Sequence, residues 1–128
     1  GPNIELPMTD TQTTISQLRE LVQAFVEERD WQQFHAPKNI TMALAIEAAE
    51  LMEHFQWIDV EASRQIGEDS QKMAAVGEEL ADVVSYSLAL ANALDIDIAR
   101  SVQAKMIKNA VKYPAEEFRG RYGTTDET

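Results

Sequence analysis

Two pairs of acidic residues have the spacing that could hold a divalent cation. Glu47 and Glu50 are three residues apart, and so are Glu79 and Asp82. On an α-helix, residues three apart lie on nearly the same face, with Cβ atoms about 5–6 Å from each other. Like charges at this spacing repel each other mildly, and a shared Mg²⁺ ion, which prefers oxygen ligands, would offset that repulsion. Each pair therefore indicates a candidate magnesium site.

Both acidic pairs stand within strongly apolar segments. Glu47 and Glu50 belong to the run Ala-Ile-Glu-Ala-Ala-Glu-Leu-Met, and Asp82 to the run Leu-Ala-Asp-Val-Val. Acidic side chains are rarely buried unless they are paired or bind a metal. One such pair alone would more often be surface charge on an exposed helix face. The apolar surroundings of both pairs favour the metal site.

Aromatic and polar side chains occur where they could bind a ligand beside the cation. Trp57 follows the first acidic pair along the same helix face, and Tyr86 lies one turn beyond Asp82. Lys105 and Asn109 are four residues apart, so they share a face of a later helix. Carboxylates for a cation, a lysine for phosphate and aromatic surfaces for a base form a coherent set.

Helical periodicity predicts the elements that carry these residues. Apolar residues recur with helical period, and no alternating strand pattern is present. Residues that favour helix starts are Thr14 with Gln17 as a capping box, Asn39 or Thr41, Asp59, Asp69 or Ser70, and Asp97. The expected helices end near residues 33, 57, 67 and 94 and before Pro114. The sequence predicts an all-α fold, a four-helix core with a short extra helix.

The longest predicted helix is apolar around much of its circumference. Its apolar residues are Met73, Val76, Leu80, Val83, Val84, Leu88 and Leu94. A helix of this kind is buried centrally or packs against a partner chain. We therefore expect a homo-oligomer that forms through the long helix.

The length of 128 residues fits one domain or one protomer of an oligomer. Gly1-Pro2 is typical of the remnant of a cleaved tag, so we expect residues 1–13 to be this remnant and a flexible leader. Residues 14–116 are expected to form the domain, and residues 117–128 a flexible tail.

Composition excludes several classes of function. The net charge of −11, from 22 acidic and 11 basic residues, argues against binding to a polymeric nucleic acid. The chain has no cysteine, which excludes disulfides and thiolate metal sites and is compatible with a reducing cytosol. No segment approaches the roughly 20 apolar residues of a membrane span, so no membrane partner is expected.

Four segments, taken together and in order, carry a resemblance to a known family. They are Glu-Arg-Asp-Trp-Gln-Gln-Phe-His (28–35), Glu-Ala-Ala-Glu-Leu-Met-Glu-His-Phe-Gln-Trp (47–57), Glu-Glu-Leu-Ala-Asp-Val (78–83) and Lys-Met-Ile-Lys-Asn-Ala-Val-Lys-Tyr-Pro (105–114). The chain resembles the MazG-like all-α nucleoside triphosphate pyrophosphohydrolases, most closely their dCTP pyrophosphatase branch, over about residues 14–116. The acidic pairs are a weak signature alone, but joined to the other two segments they are specific.

The resemblance implies a function and a set of site residues. It implies a Mg²⁺-dependent enzyme that converts a nucleoside triphosphate, with dCTP or a modified dCTP as the expected substrate, to the monophosphate and pyrophosphate. Such an enzyme would clear unwanted nucleotides from the cytoplasmic pool as a dimer or tetramer. The implied metal ligands are Glu47, Glu50, Glu79 and Asp82. The implied substrate contacts are Trp31, His35, Trp57, Tyr86, Lys105, Asn109 and Tyr113.

Two residues are expected to act in the reaction itself. Glu47 would both touch the site and accept the proton of the attacking water. Lys105 would stabilise negative charge on the phosphates. Water is the nucleophile in this scheme, so no covalent intermediate on the protein is needed.

Two other functions fit parts of the pattern. A di-iron carboxylate bundle needs Glu-x-x-His pairs, but Gln32 and Leu51 stand three residues before His35 and His54. A non-enzymatic all-α interaction or regulatory module would use the same apolar faces and leave the acids as surface charge. Calorimetry with Mg²⁺ would separate it from the enzyme, because a plain scaffold takes up no stoichiometric metal.

Overall fold

The computed structural model describes residues 7–121, and this part of the chain is helical without any strand. The helices are α1 (Ile15–Glu28), α2 (Pro37–Glu53), α3 (Val60–Arg64), α4 (Ser70–Leu94), α5 (Ile98–Lys112) and α6 (Ala115–Phe118). Single turns of 3₁₀ helix occur at Gln32–Phe34 and Ile66–Glu68. The all-α prediction is confirmed.

Side-chain caps start four of the helices where the sequence predicts them. The Thr14 hydroxyl accepts a hydrogen bond from the Gln17 N–H at 3.1 Å, and the Gln17 side chain accepts one from the Thr14 N–H at 2.7 Å. The carboxylates that cap α3, α4 and α5 belong to Asp59, Asp69 and Asp97. These bonds satisfy N–H groups that have no partner within the helix.

The end of α1 differs from the prediction. The expected helix continues to residue 33, but α1 ends at Glu28. Asp30 adopts a left-handed conformation, with φ of 54°, and a residue in this conformation cannot continue a right-handed helix. The apolar periodicity continues past this point in the 3₁₀ turn, which is why the pattern overestimates the helix length.

The limits of α2 also differ from the prediction. Neither Asn39 nor Thr41 caps this helix, which begins at Pro37. Proline suits the first helical position because its φ is fixed near the helical value and it lacks an N–H that would need a partner there. The helix ends at Glu53, about one turn earlier than expected.

The first of two units, Gly1–Ile96, is organised around α4. Both α2 and α1 pack against α4. The buried side chains come from all three helices: Val26, Ile40, Leu88, Ala89 and Ala91. This packing places α1 and α2 beside the α4 residues that carry the candidate site.

Arg19 fastens α1 to the C-terminal end of α4. Its guanidinium donates to the Asn92 side chain at 2.9 Å, to the Ala91 carbonyl at 3.0 Å and to the Ile96 carbonyl at 2.6 Å. The Asn92 amide in turn donates to the Arg19 carbonyl at 3.1 Å. A cation at a helix C-terminus satisfies free carbonyls and is favoured by the helix dipole. The position of α1 along α4 is therefore well determined.

Up to residue 121, where the description ends, the second unit, Asp97–Thr128, contains α5 and the single turn α6. Tyr113 and Phe118 pack edge to face with ring centres 5.2 Å apart. The Lys112 ammonium lies 5.2 Å from the centre of the Tyr113 ring. The short helix after Pro114 was not predicted.

The predicted division into a leader, a domain over residues 14–116 and a tail stays a prediction. The ends of this division, residues 1–6 and 122–128, lie outside the described residues. Within residues 7–121, no helix has the length and apolar character to cross a membrane.

Candidate functional site

Three of the four predicted acids lie together where α2 packs against α4. One carboxylate oxygen from each of Glu47, Glu50 and Glu79 lies within 4.8 Å of the others. All three side chains are half-buried. Helical spacing brings the first two together, and helix packing adds the third. We call these three residues the carboxylate cluster.

Two oxygens of the carboxylate cluster have no hydrogen-bond donor. The Oε2 atoms of Glu47 and Glu79 are buried and without a hydrogen-bond partner. An ionised carboxylate can only accept, and burying it without a partner costs free energy. A bound cation supplies the missing charge, and an all-oxygen donor set suits a hard cation such as Mg²⁺. The residues present therefore fit a divalent metal ion.

The close approach of neighbouring carboxyl groups raises the pKa values of two residues, Glu47 and Glu50. The hydrogen-bonding approach of the Glu79 carboxyl group, followed by desolvation, raises the pKa of Glu47 above its ordinary value. The neighbouring Glu47 raises the pKa of Glu50 by hydrogen bonding and by its charge. A proton or a metal ion would relieve the same repulsion, so the two compete for this site.

Asp82, the fourth predicted acid, is exposed at the edge of the carboxylate cluster. It is not among the three acids whose oxygens converge. After the larger contributions of Glu79 and burial, its charge also raises the pKa of Glu47, so it lies within electrostatic reach. Asp82 also lines a neighbouring cavity. Asp82 is therefore the residue that connects the carboxylate cluster with this cavity.

The cavity lies between α1 with its following turn and α4, and it has a volume of about 720 Å³. This volume is within the usual range of small-molecule sites, roughly 300–1,000 Å³. Its lining includes Phe25, Trp31, His35, Asp82, Ser85 and Tyr86. Aromatic surfaces beside a negative cluster suit a ligand with a flat ring at one end and metal-binding oxygens at the other.

Sequence reasoning missed part of the cavity wall on α1. Phe25 packs edge to face with Trp31, with ring centres 5.6 Å apart. The Arg29 guanidinium lies 3.7 Å from the centre of the Phe25 ring. Glu28 also lines the cavity, and Ser85 on α4 is a further lining residue that received no role. Glu28 and Arg29 stand in the segment 28–35 that carries the resemblance, and this was the signal that could have found them.

Four predicted substrate contacts lie elsewhere: one is an exposed residue of the first unit, and three belong to the second unit. Trp57 is 86% exposed and is not among the described residues that line the cavity. Lys105, Asn109 and Tyr113 belong to the second unit, on α5 and at its C-terminal cap. The roles of these four residues stay predictions.

The amino-acid sequence is similar to a known family and to known proteins. The sequence model of the MazG-like family matches residues 42–124. The dCTP pyrophosphatase 1 of Rattus norvegicus is 43% identical over 108 residues, which cover 84% of this chain and 63% of that protein. The Homo sapiens dCTP pyrophosphatase 1 is 44% identical over 103 residues, covering 80% of this chain and 60% of that protein. The chain thus spans less than two thirds of the length of these relatives.

A solved structure agrees with the sequence comparison. A pyrophosphatase from Archaeoglobus fulgidus superposes with a TM-score of 0.71 and 33% sequence identity. The match covers 84% of this chain and 99% of that structure. Because the family model matches more than half of the chain and the fold agrees, this chain belongs to the MazG-like family.

Proposed function

We propose that this chain is a Mg²⁺-dependent nucleoside triphosphate pyrophosphohydrolase. It converts a deoxynucleoside triphosphate, dCTP or a modified dCTP, to the monophosphate and pyrophosphate. The observation that carries the proposal is the carboxylate cluster, with its two unpartnered oxygens, at the edge of an aromatic cavity. The names of the relatives, dCTP pyrophosphatase and pyrophosphatase, support the substrate and the reaction.

The carboxylate cluster and Asp82 are the groups that would hold the metal. Glu47, Glu50 and Glu79 supply converging oxygens, and Asp82 adds a fourth carboxylate from the edge of the cavity. A Mg²⁺ ion held by these residues would neutralise phosphate oxygens and make the phosphorus more electrophilic. Four acids suffice for one or two ions, and both arrangements are compatible with the donor set.

Glu47 is the residue that we assign as general base. Its side chain belongs to the carboxylate cluster, so it lies beside the proposed metal and within reach of a water at that site. In the reaction, the oxygen of water bonds to phosphorus and one proton of the water passes to Glu47. The P–O bond that joins the monophosphate part to the pyrophosphate part breaks. The monophosphate and pyrophosphate then leave. Lys105 is assigned to the phosphates, whose negative charge it would stabilise.

The cavity is assigned to the nucleoside. Trp31 and Tyr86 offer ring surfaces for the base, and His35 lies beside them. Stacking alone tolerates every base, so the preference for one base has to come from polar groups at its edge. Asn109 and Tyr113 are assigned, by family resemblance, to the sugar or phosphates.

Trp57 is assigned to the site of a second copy of the chain. It is highly exposed and does not line the cavity of its own copy among the described residues. A tryptophan usually contributes by burying a large ring surface. We propose a homo-oligomer, a dimer or a tetramer, in which this ring completes a neighbouring site.

The cytoplasm is the expected location, because it holds the nucleotide pool that the enzyme would act on.

The proposed function is tested by incubating the protein with canonical and modified nucleoside triphosphates and Mg²⁺ and by measuring pyrophosphate and orthophosphate. We expect pyrophosphate as the first product and no turnover in EDTA. Glu79→Gln should lower kcat by at least about 100-fold, because it removes one carboxylate from the proposed metal site. Orthophosphate as the first product would mean a different reaction.

The neighbouring Glu78 provides the matched control for this substitution. Glu78 is exposed and, being adjacent to Glu79, points about 100° away around α4. Glu78→Gln makes the same chemical change one position away and should keep the wild-type kcat. Full activity of Glu79→Gln, or equal losses in both variants, would contradict the assignment. Failure of the wild type to take up Mg²⁺ in calorimetry would favour the non-enzymatic module instead.

A further inference from the structure

Two adjacent residues with opposite charge line the cavity at the C-terminal end of α1. Glu28 is the last residue of α1, and Arg29 is its C-terminal cap. Both line the cavity beside Trp31. Glu28 Oε2 and Arg29 Nη1 are 3.8 Å apart, which is longer than a hydrogen bond. The pair therefore keeps acceptor and donor capacity for a ligand.

The position of the Arg29 guanidinium is fixed by Phe25. Its Cζ atom lies 3.7 Å from the centre of the Phe25 ring, and its Nη1 donates to the Phe25 carbonyl at 3.1 Å. Phe25 in turn packs edge to face against Trp31, which is proposed to stack on the base. A guanidinium has five N–H donors in a planar fork, so most of them remain after this one bond.

Two carboxylates lie at this helix end, and the C-cap Arg29 is the basic residue beside them. The last turn of α1 holds Glu27 and Glu28 and no basic residue, although the negative end of the helix dipole lies there. Glu27 accepts a hydrogen bond from Gln23 at 2.9 Å, whereas within residues 7–121 the contact of Glu28 is the long approach to Arg29. Local arrangements that cost stability are often those that function requires.

We propose that Glu28 and Arg29 recognise the Watson–Crick edge of cytosine, an inference that rests on the proposed function. This edge presents the N4 amino group as donor, followed by N3 and O2 as acceptors. A carboxylate only accepts and a guanidinium only donates, so the pair complements that order. Uracil and thymine carry an acceptor at O4 and a donor at N3, which would face the carboxylate and the guanidinium with like groups. The pair selects cytosine nucleotides against uracil and thymine nucleotides.

Glu28→Gln is the sharpest test, because it keeps the shape of the side chain and allows its amide to donate to O4. The ratio of kcat/KM for dCTP to that for dUTP should fall by about 10-fold or more, a typical value for one well-placed base contact. The ratio for 5-methyl-dCTP to dCTP should not change, because C5 lies away from the recognised edge. Glu27→Gln, the same change one residue earlier and bonded to Gln23, should leave both ratios at their wild-type values.

Arg29→Lys tests the second half of the pair. Lysine keeps the charge but loses the planar fork. We expect KM for dCTP to rise about 10-fold while kcat stays within about 2-fold, because the base edge is remote from the bond that breaks. Thermal unfolding by circular dichroism checks that loss of the Phe25 contact has not unfolded the variant.

The outcomes separate this inference from the proposed function. Pyrophosphate release from dCTP with an unchanged dCTP-to-dUTP ratio in Glu28→Gln would overturn the inference and leave the function intact. An equal loss on every substrate, or a wild-type preference for a purine or for dUTP, would also overturn it. Absence of pyrophosphate release from every triphosphate by the wild type would instead overturn the proposed function.

Discussion

At the scale of single residues, the buried oxygens of Glu47 and Glu79 dominate the electrostatics of the candidate site. Neither oxygen has a hydrogen-bond partner, and the pKa of Glu47 is raised by Glu79 and by desolvation. Near neutral pH the carboxylate cluster therefore holds negative charge that the fold does not compensate. A divalent cation would turn this repulsion into attraction, so metal binding and stability should be linked.

Without metal, the stability of the protein should depend on the protonation of Glu47 and Glu50. The pKa values of Glu47 and Glu50 are raised above 4.5, the ordinary value of a glutamate, so the folded state binds these protons more tightly than the unfolded chain. Their contribution to stability is complete below about pH 4.5 and is lost as pH rises through the higher folded-state values. In EDTA, the Tm of the wild type should therefore fall relative to that of Glu47→Gln as the pH rises above about 4.5. Circular dichroism measures both Tm values.

Magnesium provides the control for this pH dependence. At pH 7, Mg²⁺ should raise the Tm of the wild type and should raise that of Glu47→Gln much less, because the variant has lost a proposed ligand. A wild type that gains stability relative to Glu47→Gln as pH rises in EDTA would show that the cluster carries no net repulsion.

At the scale of helices, the chain places a strained residue at the end of α4. Asp95 follows this helix with φ of 54° and ψ of 46°, a left-handed conformation that glycine adopts most easily. Its carboxylate also lies at the negative end of the helix dipole. By contrast, Asp97 caps the start of α5, where its carboxylate accepts from the Arg100 N–H at 2.9 Å. Two aspartates that are close in sequence thus have opposite effects on stability.

We expect Asp95→Gly to stabilise the protein by about 1 kcal/mol, because it removes the left-handed strain of a residue with a Cβ atom. Asp97→Ala should destabilise it by about 1 kcal/mol, because it removes an N-cap. Urea unfolding of both variants beside the wild type measures the two changes. A loss of stability in Asp95→Gly would mean that the Asp95 side chain stabilises the fold by more than its left-handed backbone conformation costs.

The helix starts could be predicted from the sequence, whereas the end of α1 could not. Thr14, Asp59 and Asp97 mark their helix starts because capping depends on residues within one turn. The end of α1 was missed because one left-handed residue, Asp30, overrides an apolar period that continues beyond it. Asp30 is not glycine, so its backbone conformation leaves no clear mark in the sequence.

The candidate site could likewise be predicted only in the part that residues close in sequence form. The approach of Glu47 to Glu50 is a property of one helix and was predicted from spacing. The role of Glu28 and Arg29 as part of a cavity wall depends on how α1 packs on α4, which is a contact between distant parts of the sequence. Periodicity carries no information about such a contact, so these two residues received no role from the sequence.

At the scale of the whole molecule, large apolar side chains remain exposed on the first unit. On α4, Leu80 is 50% exposed and Val84 is 42% exposed. On α2, Met42, Ile46 and Met52 are exposed as well. Exposed apolar patches of this kind usually mark interaction surfaces. They support the proposed homo-oligomer through the long helix, which stays a prediction.

Leu80→Glu should weaken this association, because it places a charge on the proposed interface. Light scattering after size-exclusion chromatography should show a multiple of 14.4 kDa for the wild type and a shift towards 14.4 kDa for the variant. Gln71→Glu adds a charge to the exposed first turn of the same helix and should keep the wild-type mass. A wild-type mass of one chain would contradict the oligomer.

The Arg19 contacts have a consequence for the evolution of the cavity. Arg19 lies outside the cavity lining but joins α1 to Asn92 and to two carbonyls at the far end of α4. Phe25 and Tyr86 stand on these two helices and face the cavity from either side. The distance between the two rings therefore depends on the Arg19 guanidinium, which is not part of the cavity lining. Selection for substrate fit and selection for stability therefore act on the same side chain.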